Sequence, residues 1–279
     1  MSRRNRKKRV IPGFGLSLGI TVTVLSLVVL IPLCSIVIYS AQLSLPEFIE
    51  VVTSRRVLAS YRLSILTALI ASLINAVLGL IIAWVLVRYD FPGKKIMDGM
   101  IELPFALPTA VAGISLTHLT VSSGWIGSIF ARFGIEIAYT PIGITVALVF
   151  IGIPFVVRSV QPVLEKLDPQ YEEAAALMGA SRSRTFFRVI LPEIASPLLS
   201  GFTMAFARCL GEYGSVVFIA GNTPYETEIM PLLIMTKLQE YNYAEASAIA
   251  LVMLLFAFLI LFVSSVAQSR ASRIVSGVK

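Results

Sequence analysis

The sequence predicts an all-α integral membrane fold with six transmembrane helices, and three observations carry that expectation. Of 279 residues, 57% are hydrophobic and only 14% charged, whereas soluble domains carry about a quarter charged residues. The charges lie between long neutral runs. Residues 10–46, 63–87, 103–131, 137–157 and 246–269 contain no Asp, Glu, Lys or Arg, and 194–225 contains only Arg208 and Glu212. Each run can supply the roughly 20 residues that a helix needs to cross the hydrocarbon core. Backbone amides in lipid are satisfied only in helices or closed barrels. Runs such as 22–33 are apolar almost throughout, without the alternation of barrel strands. The same composition excludes a disordered chain.

Taken in order, the expected spans are 16–40, 62–87, 100–121, 139–160, 195–220 and 245–268. The first follows Arg3, Arg4, Arg6, Lys7, Lys8 and Arg9. That basic start resembles a signal peptide, but the apolar run is too long and lacks a convincing small-residue cleavage site, so it reads as a retained span. Residues 42–61 read as a solvated connector. The stretch 222–244 is the largest external loop, with a short helix expected around 229–238. Cys34 and Cys209 fall inside spans and read as small apolar residues, since no disulfide framework or zinc spacing exists.

Six spans place the N-tail, the second–third loop, the fourth–fifth loop and the C-tail on one side of the membrane. Those segments hold 16 Lys and Arg against 5 on the other side, so both termini are expected in the cytoplasm. The net charge of +7 thus reports orientation, and nucleic acid is not an expected partner. The organisation that follows is a basic tail (1–10), a first helix with its external loop (11–61), a main membrane domain (62–268) and a C-tail (269–279).

The fourth–fifth connection, 161–193, has the signals of a helix outside the membrane. Asp168 offers an N-cap acceptor and Pro169 a first helical residue. Glu172 and Glu173 sit where the helix dipole favours negative charge. Ala174, Ala175, Ala176, Leu177 and Met178 are strong helix formers, and Gly179 offers a stop. A helix over about 168–180 would present an alanine surface for close approach, with Tyr171 and Met178 free to fill a partner's groove. An amphipathic helix resting on lipid headgroups fits the same residues. A second short helix, 181–190, is basic on one side and is expected to end near Pro192.

Within this stretch Glu173-Ala174-Ala175, three residues, Gly179, nine residues, Val189, one residue and Leu191-Pro192 resemble the EAA motif of ABC importer permeases. Val189 stands where isoleucine is usual. The resemblance implies a type I ABC importer permease fold in which this segment is a coupling helix seated on a cytoplasmic ATPase subunit. Tyr171, Glu172, Glu173, Ala174, Ala175, Met178, Gly179, Leu191 and Pro192 are then the coupling residues, and 62–268 the type-1 transmembrane domain. Residues 103–113 (LPFALPTAVAG), 154–162 (PFVVRSVQP) and 210–222 (LGEYGSVVFIAGN) look like segments of the T-type sulfate/thiosulfate permeases. Molybdate permeases have similar LP-rich and LGE segments, so either oxyanion fits.

The resemblance implies partners: a related permease, two ATPase subunits and an external sulfate-binding protein, all at a bacterial cytoplasmic membrane. No G-x-x-x-x-G-K-[ST] occurs in the chain, so it has no phosphate-binding loop. It is expected to be non-catalytic and free of cofactors, with ATP and magnesium bound by the partner ATPase. Two other classes fit the membrane reading alone, a secondary transporter driven by an ion gradient and a structural membrane protein.

Several residues are candidates for the translocation path or its gate. Arg208 and Glu212, spaced i, i+4, would share a helix face; ionisable groups inside a span suggest function, and a purely structural ion pair is the other reading. Tyr213 adjoins them. Pro104 and Pro108 make an unbroken third span unfavourable. A helix restarting near Pro108 would expose the amides of Thr109, Ala110 and Val111, an arrangement that binds anions in broken transporter helices, while a simple packed kink is the alternative. Ser115 could line the path, although Ser and Thr in spans also bond to neighbouring backbone. His118 has no metal-spaced partner and reads as an interfacial residue.

Overall fold

The computed structural model describes residues 14–168 and 170–275 of the chain, with side chains to Val266 and at Gln268. The basic N-tail, Pro169 and the end of the C-tail lie outside the described residues.

Every regular element among the described residues is helical. Five helices are long and apolar enough to cross a membrane. The first, α1 (Phe14–Ser40), packs on the last and turns nearly its whole surface outward, with Leu16, Leu25 and Val28 among its exposed residues. A short helix, α2 (Leu45–Thr53), leads into α3 (Arg55–Arg88). The third expected span is instead three pieces: α4 (Lys94–Ile101), α5 (Leu103–Ala106) and α6 (Thr109–Thr120). At 12 residues, α6 rises only about 18 Å, well short of a hydrocarbon core of about 30 Å. The cause is Pro108, which forces the residue before it out of helix; Leu107 has φ −82° and ψ 135°.

After α7 (Gly127–Ala131) come α8 (Pro141–Lys166), α9 (Gln170–Leu177) and α10 (Arg182–Thr185). A π-turn, Phe186–Ile190, joins α10 without a break to α11 (Leu191–Leu210). Pro192 therefore does not stop the second short helix. It sits in the first turn of α11, and the π-turn immediately before it absorbs the missing N–H and the ring's clash with the preceding turn.

The fifth span also ends early. α11 stops at Leu210, and the chain crosses a loop, 211–215, before α12 (Val216–Ile219). α13 (Met230–Gln239) forms where the short helix was expected, and α14 (Tyr243–Val275) closes the bundle. On α13, Lys237 bridges Glu240 at 3.1 Å and Glu245 at 3.0 Å. Partial burial opposes its charge, but hydrogen bonds to the two carboxylates outweigh it and raise its pKa.

Residues 42–61 are not a bare connector, since they form α2 and the first turns of α3. The signal for α2 is Ser44-Leu45-Pro46-Glu47, a capping box in which the Ser44 side chain and the Glu47 carboxylate satisfy each other's backbone amides.

The core is the crossing of α3, α8 and α11. At one end Ala68, Ala71, Leu148 and Phe206 pack beneath Met230; at the other Ala83, Val156, Val160 and Ile194 pack beneath Ile190. Gly79 and Gly201 let the helices meet at Val156. A Cβ on either would come within 2.8 Å of that residue.

Candidate coupling surface and translocation path

α9 is positioned at both of its ends. Before it, a carboxylate oxygen of Asp168 accepts the Gln170 amide at 2.9 Å. After it, the Gly179 amide donates to Ala176 and the Ala180 amide to Ala175, at 2.9 and 3.0 Å. That is the paired closure of a Schellman end. It requires the left-handed backbone that Gly179 adopts, φ +76°.

One face of α9 touches the rest of the chain. Ala175 is buried, and Glu172 pairs with Arg88 at 2.5 Å. The Arg88 guanidinium lies 5.6 Å over the Trp84 ring, which meets Phe186 of the π-turn edge-on at 5.5 Å. Glu172 is thereby tied to the end of α3 and, through Trp84, to the start of α11. The remaining surface is open. Glu173 and Ala174 are exposed, and Tyr171, Leu177 and Met178 are 59%, 90% and 82% exposed. Leu177, whose sequence signal is only that of a helix former, is the most open of the three apolar side chains. Leu191 and Pro192 open α11, and Leu191 packs against the same core cluster as Trp84 and Phe186.

The second group gathers at the two broken helices. Pro104 is buried in α5 and Pro108 caps α6. Thr109 and Ala110 form the first turn of α6, where amides lack intrahelical acceptors. The Val111 amide, expected to be free, donates to the Pro108 carbonyl at 2.9 Å. The loop 211–215 lies directly on this turn. A Cβ on Gly214 would stand 2.1 Å from the Thr109 hydroxyl oxygen, and one on Gly113 2.4 Å from the Ser215 carbonyl oxygen. Neither gap admits a side chain. Two of the three segments that look like sulfate-permease sequence, 103–113 and 210–222, are therefore in backbone contact.

Arg208 and Glu212 do pair, but not along a continuous helix, because Glu212 lies beyond the end of α11. Its other carboxylate oxygen accepts the Ser215 amide at 2.9 Å and the Ser215 hydroxyl at 3.0 Å. With its side chain 2% exposed, Glu212 holds the loop closed around a buried, paired charge. The Arg208 side chain remains 37% exposed, and Tyr213 and Ser115 are also exposed. Thr117 donates to its own helix at Gly113, 2.7 Å, and His118 is exposed. The junction thus holds one ion pair, its carboxylate buried and its arginine side chain partly exposed.

Comparison with known proteins matches this architecture. Residues 75–276 match the family described as binding-protein-dependent transport system inner membrane component. The sulfate transport system permease protein CysT of Escherichia coli (strain K12) is 48% identical over 270 residues, covering 97% of this chain and 98% of that protein. The CysT protein of Synechocystis sp. is 44% identical over 254 residues, covering 91% and 89%. Among solved structures, a chain of a bacterial ABC transporter involved in the import of the acidic polysaccharide alginate superposes with a TM-score of 0.75 at 16% identity, over 92% of this chain and 96% of that one. A chain of the bacterial alginate transporter, in complex with an alginate-bound periplasmic protein, superposes with a TM-score of 0.72 at 17% identity, over 90% and 93%. The all-α fold with broken helices and a protruding α9 is that of an ABC importer permease, and the chain belongs to the binding-protein-dependent transport system inner membrane component family.

Proposed function

We propose that this chain is a permease subunit of an ATP-driven importer that carries sulfate or thiosulfate across a bacterial cytoplasmic membrane. The observation that carries this reading is its end-to-end likeness to CysT, 48% identical over 97% of the chain. That likeness extends through both broken-helix segments and α9. In this reading α9 docks on a cytoplasmic ATPase through Tyr171, Leu177 and Met178, with Glu173, Ala174, Ala175 and Gly179 setting how closely the partner approaches. The ATPase, present in two copies, binds ATP and magnesium; this chain is non-catalytic.

A related second permease completes the path, and both termini face the cytoplasm with α9. An external binding protein delivers the anion, an arrangement for which the alginate transporter complex supplies the structural precedent. The junction of α6 with loop 211–215 lies beside the path, and parting it would uncover Arg208 and the first amides of α6, groups that favour an anion.

The test is co-purification of the assembled transporter followed by ATPase assays in membranes with the binding protein. Sulfate and thiosulfate are expected to stimulate hydrolysis and uptake, and molybdate to do so weakly. Stimulation by molybdate alone would replace the anion assignment. Uptake driven by an ion gradient, with no co-purifying ATPase, would replace the mechanism.

A further inference from the structure

A groove of about 610 Å³ runs along the outer side of α3. One wall is Ala76, Leu80 and Trp84, a single helix face at four-residue spacing that covers about 12 Å of rise. The opposite wall is Leu198 of α11 with Phe186 and Phe187 of the π-turn. The end nearer the middle of α3 is lined by apolar side chains alone. The polar groups gather at the other end, where α3 stops: Tyr89, Arg182 and Ser183. No acidic residue lines the groove. Arg182 is exposed and forms no ion pair among the described residues, while the Glu172 carboxylate on α9 is already engaged by Arg88.

These features narrow the occupant. A polypeptide segment would bring amides into a trough with hydrogen-bonding partners at one end only, which is costly away from water. A bulk acyl chain would have no use for the cation. An acyl chain with an anionic headgroup uses both, since guanidinium groups bind phosphate oxygens in pairs. Trp84 and Tyr89 are also the aromatic types that settle at the headgroup boundary.

We propose that this groove binds an anionic phospholipid, its phosphate on Arg182 with the Tyr89 and Ser183 hydroxyls and one acyl chain along Leu80 and Trp84. Because Trp84 also contacts Arg88, the partner of Glu172, the bound lipid braces the side chains that hold α9.

The test uses the assembled transporter in detergent, given phosphatidylglycerol or phosphatidylcholine and examined by native mass spectrometry. Wild type is expected to retain phosphatidylglycerol selectively. Arg182→Gln is expected to lower that retention about tenfold, the effect of losing one charge-assisted contact of about 1.4 kcal/mol. Arg184→Gln, a cation of the same stretch that does not line the groove, should change it little. Ala76→Trp, which fills the apolar end, should abolish retention while Arg182 stays in place. Equal phosphatidylglycerol retention by wild type, Arg182→Gln and Ala76→Trp would overturn the site, and equal loss in Arg184→Gln would reduce it to general surface charge. Displacement of the lipid by inorganic phosphate would make it a phosphate site instead. Cross-linking of Leu80→Cys to another subunit would show that protein covers the groove.

Discussion

Gly179 is held in a left-handed conformation with nothing within 4 Å of where its Cβ would stand. Substitution there meets no clash within the chain, and the direct cost is conformational, about 1–2 kcal/mol for an ordinary L residue. Asparagine tolerates this region better than a β-branched residue does. We therefore expect Gly179→Val to uncouple ATP hydrolysis from uptake while the protein remains in the membrane, and Gly179→Asn to keep most transport. Parallel uptake and ATPase measurements at matched expression check this. Wild-type transport by the valine variant would remove Gly179 from the coupling mechanism. Failure of both variants would mean that the open space, not the backbone angle, is what the partner uses. The glycine itself was legible from the EAA spacing. The pairing of Glu172 with Arg88 was not, because the two are brought together only when α3 and α9 fold onto one another.

The broken third span shows what local chemistry reveals and what it leaves open. Pro104 and Pro108 announced the break, and the restart at Thr109 lies where proline geometry puts it. The stop of α11 at Leu210 was less visible. Glycines at 211 and 214 weaken a helix, but an apolar run of the length of 194–225 reads as continuous until the partner that requires a loop is known. That partner is α6, against which Gly214 leaves no room for a methyl group. We expect Gly214→Ala to force the two elements apart at a cost of about 1–3 kcal/mol. Reduced uptake and greater protease sensitivity around 211–215 should follow, with α9-dependent assembly with the ATPase unchanged. An alanine variant indistinguishable from wild type in both readouts would show that the contact at Thr109 yields easily.

For the whole molecule, the class was legible because lipid imposes long uncharged helices, and five of the six expected segments overlap a helix long and apolar enough to cross a membrane. The sequence was weaker on the connections, as α2 and the continuous α10–α11 join show. Orientation rests on the distribution of Lys and Arg. Single cysteines introduced at Ser181, beside α9, and at Glu226, in the loop before α13, should react with a membrane-impermeant maleimide from opposite sides in a Cys34→Ser, Cys209→Ser background. Labelling at Glu226 but not Ser181 in intact spheroplasts is the expected pattern, and the reverse would invert the topology.

The join at the π-turn also has a mechanical meaning. α11 begins beside the side chains that hold α9 and ends at the loop that covers α6. Its 20 residues, with Pro197 in their interior, span about 30 Å. A tilt of about 5° about the near end would carry the far end through roughly 2.6 Å over that length. Gly214 already lies too close to Thr109 to admit a Cβ, so a tilt toward α6 meets that contact at once. A tilt the other way parts the two breaks, which gives α11 the placement of a lever between the side chains that hold α9 and the junction with α6.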